Sequence, residues 1–336
     1  LSWLRETWVL TGLFDEGLGA ELATIKYINY IKKSGVTPVI SQQCPSIVEY
    51  LKIYTPEIVD YLAPVQSPVI ILAQIIRKKL KFQGNIAYLG PCLSKRREFK
   101  DPDTNGVVNF NLTLTNLKKY MDLHKVDLNS YKDGKYDWIK AEKGSVFCKP
   151  GGYKNIISRY YENARVNNLE GDVLYKKYFS DFQKNVNEKF NNFPLIVDCL
   201  SCEGGCYRGP VSSNEATIDE ELYLIDKREE EGLSSYKNSF VAQKEFEKFL
   251  EENKDIDMSR IYFSDSAKPI YPLPREELYE DASRCLKTEP KDFLNCQSCG
   301  YGSCQKFLTA MHYKLNIPSN CRHFNKKSLS TTIKDG

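Results

Sequence analysis

Residues 195–206 read Leu195-Ile196-Val197-Asp198-Cys199-Leu200-Ser201-Cys202-Glu203-Gly204-Gly205-Cys206. The apolar run Leu195–Asp198 is short enough for a buried strand, and a glycine-bearing loop with closely spaced cysteines follows it. Two other stretches repeat the arrangement. Thr37–Ile40 leads into Cys44, and Asn85–Leu89 leads into Cys92. Short apolar runs can equally be buried helix. Taken as strands among helical patterns, they predict an α/β fold with parallel sheets flanked by helices. Ligands of open α/β sheets collect beyond the carboxyl ends of the strands. Three such strands would therefore deliver Cys44, Cys92, Cys202 and Cys206 to one rim.

The cysteines lie in a chain of 336 residues, long enough for a large domain and a small one. A hydrophobic fraction of 41% supports a real core. Lys and Arg number 47 against 44 Asp and Glu, so the net charge of +3 argues against a nucleic-acid binder driven by charge. The longest apolar stretch, Val69–Ile76, falls far short of the ~20 residues of a membrane span, and no signal peptide opens the chain. The first residue is Leu1 rather than Met, which suggests a fragment. Eleven cysteines, an odd number at C-x-x-C spacings, read as metal ligands in a reducing, cytoplasmic compartment; three histidines offer little for zinc.

Outside the loops, Leu22–Lys33 carries Leu22, Ile25, Ile28 and Ile31 at helical spacing, with Gly35 as a stop. Ser46–Leu62 follows Pro45, which suits a first helical position, and Pro56 should divide it into two short helices. Segment 101–145 has no clear pattern. Segment 227–256 is a charged helical stretch that reads as a solvated face. Residues 1–263 are expected to form the main domain. Residues 264–280, with three prolines, read as a linker, and residues 281–336 as a small, mostly helical iron-sulfur domain.

That small domain contains NCQSCGYGSCQKFLTAMHYKLNIPSNC at 295–321. Cys296, Cys299, Cys304 and Cys321 are spaced C-x2-C-x4-C-x16-C, which suits four thiolates around a 4Fe-4S cube. Gly300 and Gly302 allow close backbone approach to the inorganic sulfides. A zinc site of four cysteines is the alternative. His312 and His323 lie nearby as bystanders.

Read with their neighbours, the three loops resemble the H-cluster motifs of the iron-only (FeFe) hydrogenases. Ser41-Gln42-Gln43-Cys44-Pro45, followed by TPEIVDYLAPVQSP, is similar to the family's S-C-C-P loop and its Y-P-E-L…K-S-P stretch. Gly90-Pro91-Cys92-Leu93-Ser94-Lys95 is similar to P-C-x-x-K, and Cys202–Cys206 to C-x-G-G-C. Phe147–Arg159 (FCKPGGYKNIISR) resembles the family's F-G-x-x-G-G segment. The C-terminal module resembles iron-sulfur domains appended to sensory-type members. The family's N-terminal ferredoxin-like clusters are absent from this chain.

The resemblance implies that Cys44, Cys92, Cys202 and Cys206 hold the 4Fe-4S half of an H-cluster, with Cys206 bridging to a two-iron half that carries CO and cyanide. It implies two 4Fe-4S clusters in all. Lys95 would donate to a cyanide, and Ser67 would add a polar contact; a surface lysine and a turn-forming serine are the bland alternatives. Cys199 is an alternative ligand or a core residue, and Cys148 and Cys285 are small buried hydrophobes. Expected partners are H2, protons, a ferredoxin-like electron carrier or downstream signalling domain, and hydrogenase maturation proteins. An anaerobic setting goes with them.

The departures bear on function. Gln43 stands where turnover enzymes of the family have a proton-carrying cysteine, and an amide does not titrate near neutrality. Ala23-Thr24-Ile25-Lys26 replaces a segment with glutamates, leaving Glu21 as the nearby acid. Gly90 and Leu200 stand in place of methionines. The expected protein is a hydrogenase-like redox protein that senses hydrogen or redox state with slow reversible turnover. The alternatives are a conventional ferredoxin-linked hydrogenase using Glu203 or Glu21, and an iron-sulfur scaffold or assembly protein without the two-iron half.

Overall fold

The computed structural model describes residues 1–212, 216–264, 293–296, 299–301, 303–321 and 323. The predicted linker from residue 265 onward, Cys285 and Gly302 lie outside the described residues.

The three apolar runs are strands, as the pattern predicts, but they belong to two sheets. Strand β1 (Val39–Ile40) pairs in parallel with Ile196–Leu200, which also pairs in parallel with Val166–Glu170. Ile40 lies opposite Val197, and Leu169 opposite Cys199. The second sheet joins β2 (Ala87–Gly90) to β3 (Phe110–Thr113), also in parallel. In chain order, Val166–Glu170 is β4 and Ile196–Leu200 is β5. All five residues of β5 are buried, as expected of the central strand of a sheet covered on both faces. Helices flank the sheets, so the α/β expectation holds.

Helix α1 (Ser2–Trp8) precedes α2 (Glu16–Ser34). Helix α2 begins at Glu16 rather than Leu22. Asp15 caps it by accepting the Gly17 N–H at 3.0 Å, satisfying one of the free amides of the first turn. It stops at Gly35, which takes a left-handed φ of 68°. Helix α3 (Pro45–Tyr54) has Pro45 at its start, and Pro56 opens a separate 3-10 turn, Pro56–Tyr61. Helix α4 (Pro68–Lys79) crosses α2 closely, because Gly19 has no side chain to strike the Pro68 carbonyl. The short α5 (Lys95–Glu98) follows β2.

Segment 101–145 contributes β3 and α6 (Leu114–Leu123), and Gly152–Ile157 and Phe179–Asn187 are α7 and α8. Residues Ile218–Ser234 and Ser239–Glu251 form α9 and α10. Here the solvated-face reading of 227–256 is corrected. Ala242, Phe246, Phe249 and Leu250 repeat at helical spacing and join the core formed by α2, α4 and α7. The charges that dominate this stretch occupy the other faces. A second core lies under β1 and β5, where Ile40, Ile47, Leu51, Phe179 and Phe182 meet. Among the described residues no helix is long and apolar enough to cross a membrane.

Candidate metal centre

The parallel strands aim their carboxyl ends at one place. Loop one leaves β1 through Ser41, Gln42 and Gln43, all buried. Ser41 Oγ accepts the Cys199 N–H at 3.1 Å and so ties this loop to β5. Gln42 Nε2 donates to the Val65 and Gln66 carbonyls at 2.6 and 2.9 Å, and Tyr27 OH donates to Gln42 Oε1. Four buried polar groups thus hold the backbone that presents Cys44, which sits in extended conformation directly before α3.

Loop two leaves β2 at Gly90 and presents Cys92, whose carbonyl accepts from Asn111 Nδ2 at 3.0 Å. Ser94 and Ser46 share a hydrogen bond of 2.7 Å, which joins loops one and two. Loop three leaves β5 through Ser201, where the hydroxyl meets Tyr175 OH at 2.6 Å, and presents Cys202. Gly204 and Gly205 then take φ of 77° and 96°, a region closed to most side chains. A Cβ on Gly205 would crowd the Cys148 carbonyl. That same carbonyl accepts the Cys206 N–H at 2.9 Å.

The result is one cavity of about 780 Å³ lined by Cys44, Cys92, Cys202 and Cys206, with Gln43 and Lys95 in the same wall. The four predicted thiols are therefore brought together from three distant parts of the chain. Burial pushes the Cys92 thiol up to about 12, with the nearby Cys44 adding to it; burial likewise raises Cys202 and Cys206. As free thiols these groups keep their protons at neutral pH, and a cation must replace those protons to bind.

Lys95 is 4% exposed. Its Nζ donates to Glu98 Oε2 at 2.7 Å, to Ser67 Oγ at 3.3 Å and to the Gln43 carbonyl at 3.3 Å. Burial lowers its affinity for the proton, but Glu98 and Glu16 outweigh this and leave Lys95 above its ordinary value. The surface-lysine alternative is thereby removed. Ser67, fully buried before α4, takes part in the lysine's hydrogen bonding. Gln43 Nε2 donates to Asp198 Oδ1 at 3.1 Å, while Gln43 Oε1 is buried with no hydrogen-bond partner.

Two cysteines differ in placement. Cys199 is fully buried in β5, with its Sγ 3.7 Å from the Ser41 carbonyl, and packs in the second core rather than on the cavity. Cys148, read from sequence as a small buried hydrophobe, is half-buried and lines the cavity with the other thiols. Burial, followed by Glu16, pushes it up to about 11. Its position within the Phe147–Arg159 motif was the available signal.

The acids also differ from expectation. Glu21 is fully buried but engaged elsewhere, pairing with Arg159 at 2.6 Å and accepting the Gly144 N–H at 2.7 Å. Glu203 is exposed. The carboxylates on the cavity wall are Asp15 and Glu16, which the late predicted start of α2 left outside the helix. Glu98, three residues after Lys95, was legible as a helical ion pair.

The C-terminal cysteines also gather. Burial pushes Cys299 up to about 12, and Cys296, Cys321 and Cys304 add to the shift. Cys304 opens the helix Cys304–His312, which Ser303 caps, and Phe307 and Leu308 form a small core beside Cys299 and Cys321. Cys299 and Gly300 also line the large cavity, so this module rests against loops one and two. Among the described residues no group of three or more His, Cys, Asp or Glu is placed to hold a single metal ion.

Comparison with known proteins adds two findings. Residues 4–210 match the family described as iron only hydrogenase large subunit, C-terminal domain. The fold is similar to that of an apo FeFe-hydrogenase HydA1 variant from Chlamydomonas reinhardtii, with TM-score 0.55 and 12% identity over 79% of this chain and 88% of that one. It is also similar to HydA(deltaEFG), whose structure concerns stepwise H-cluster assembly, with TM-score 0.54 and 13% identity over 79% and 88% of the two chains.

Proposed function

The chain belongs to the family of the iron only hydrogenase large subunit, C-terminal domain, and on that premise we propose that it is an FeFe-hydrogenase-like redox protein. The observation that carries the proposal is the convergence of Cys44, Cys92, Cys202 and Cys206 on one cavity beside the buried Lys95. The residues fit an H-cluster. Four thiolates suit the irons of a cube, and the Gly204-Gly205 backbone allows close approach. In this reading Cys206 would be the cysteine that also holds a two-iron half. That half, when bound, supplies the redox chemistry of H2.

The chain's own residues then have separate tasks. Lys95 would offer its ammonium to an anionic cyanide in exchange for one of its present acceptors, as a charge-assisted hydrogen bond. Ser67 orients Lys95. Gln43 holds no transferable proton, so turnover depends on another acid of the cavity, and we propose a hydrogen- or redox-sensing role with slow turnover. Cys296, Cys299, Cys304 and Cys321 hold a second cube. Its contact with loops one and two suits electron exchange with the main site, outward to a ferredoxin-like carrier or a signalling domain. A protein of this kind depends on maturation proteins and belongs in the cytoplasm of an anaerobe.

One observation favours a second reading, an iron-sulfur scaffold without the two-iron half. Glu98, Ser67 and the Gln43 carbonyl already serve the three N–H bonds of Lys95, so the burial of that lysine does not by itself call for a cyanide. Infrared spectroscopy after co-expression with hydrogenase maturation proteins separates the two. Intrinsic CO and cyanide bands support the hydrogenase reading. Their absence in a protein that holds its full iron-sulfur content supports the scaffold.

A further inference from the structure

The carboxylates and thiols that line the cavity point to a proton path that does not use Gln43. On the hydrogenase reading above, we infer that Glu16 is the proton-carrying carboxyl of this cavity, taking over the place that Gln43 leaves without a titratable group. The acids suspected from sequence are elsewhere. Glu21 is locked between Arg159 and the Gly144 amide, and Glu203 is exposed outside the lining. Asp15 lines the cavity but is committed twice, capping Gly17 and pairing with Arg228. Glu16 begins α2 and lines the same cavity as Gln43, Cys44, Cys92, Lys95 and Cys206.

The lining also includes Val9, which is 85% exposed, so the cavity that holds Glu16 reaches the protein surface. The groups that face Glu16 are Lys95, Glu98, Tyr88, Asp15, Cys148 and Tyr153. Burial raises Glu16 most, Lys95 opposes it, and Glu98 raises it further, to about 7. A carboxyl balanced there both gives and accepts a proton at neutral pH, which an ordinary surface glutamate does not. In H2 oxidation each molecule yields two protons and two electrons. The protons pass one at a time onto a Glu16 carboxylate oxygen and then to water at the cavity mouth. The electrons leave to an oxidised external carrier. In the reverse direction Glu16 donates from its protonated form.

The test uses the matured full chain, with Glu16→Gln and Glu16→Asp compared at matched CO and cyanide band intensity. With oxidised viologen as acceptor, Glu16→Gln should lower kcat by ~10²–10⁴-fold with the KM for viologen unchanged. It should also abolish a near-neutral limb of the pH–rate profile, and Glu16→Asp should restore part of both. A second readout needs no turnover. Infrared difference spectra of an Asp198→Asn protein lacking the two-iron half, in which the other near-neutral buried carboxyl is removed, should contain a protonated-carboxyl band that titrates near neutrality and is lost when Glu16→Gln is added. A kcat within twofold of the parent, or a titrating band that survives the substitution, overturns the inference. If Glu16→Gln fails to hold the cluster, Glu16→Asp decides: a shifted limb supports the role, and an unshifted one overturns it. Failure of the hydrogenase reading is seen separately, as missing CO and cyanide bands in the parent, and it removes this inference too.

Discussion

Gln43 of loop one donates its side-chain amide to Asp198 of β5 at 3.1 Å, joining two residues 155 positions apart. The bond places a neutral amide against a carboxyl that is 1% exposed. Burial pushes Asp198 up to about 7, although the Lys154 N–H and the Gln43 amide both oppose the shift.

This shift sets a pH dependence of stability. The folded protein holds the Asp198 proton to higher pH than the unfolded chain, so between about pH 4 and pH 7 the native state binds more protons. Stability from this group is complete below that window and falls as pH rises through it, by at most about 4 kcal/mol. Glu16 acts with the same sign. Urea midpoints of metal-free protein should be lower at pH 8 than at pH 5, and Asp198→Asn should narrow the difference. An unchanged difference in Asp198→Asn assigns the dependence to other groups.

The Lys95–Glu98 pair, with both side chains 5% exposed, should behave as a buried ion pair. Lys95→Met leaves Glu98 charged and alone, at a cost of about 3–5 kcal/mol in the metal-free chain. Lys95→Met combined with Glu98→Leu should recover most of that stability. In matured protein neither change restores the contact to cyanide, so a shift in the cyanide bands should persist in the double variant. Bands like those of the parent would deny Lys95 that contact.

Two sets of four cysteines predict about eight irons per chain before any two-iron half is added. Cys299→Ser should remove about half of them and leave the remaining cube spectroscopically intact. Anaerobic iron and sulfide analysis checks both values. Joint loss of the two cubes would mean that the contact of Cys299 and Gly300 with the main cavity couples the modules more tightly than separate domains allow.

Gln43→Cys places a titratable thiol directly before Cys44. In the parent, where Glu16 carries protons, it should raise hydrogen turnover by less than ~10-fold. In the Glu16→Gln background it should recover more than in the parent, because members of a relay act as a unit and their effects do not add. Equal effects in the two backgrounds would place Gln43 outside the proton path.

Much of this protein is written locally. A short apolar run followed by a cysteine loop identified each of the three strands, Pro45 and Pro56 delimited α3 and the turn after it, and Gly35 ended α2. These signals act within a few residues of themselves, through fixed backbone angles and missing or spare N–H groups. Cysteine spacing works in the same way, because ligands of one cube that lie on one loop must lie close in sequence. What tertiary structure decided is the company each group keeps. Only packing reveals that β2 joins β3 while β1 joins β5, since strand partners lie from 23 to 157 residues apart. Only packing turns 227–256 from a charged surface into the helix that buries Phe246, puts Cys148 on the cavity and withdraws Glu21 behind Arg159. A carboxyl's proton affinity depends on burial and on charges from other elements, so the sequence carries Glu16 in plain view but not its environment.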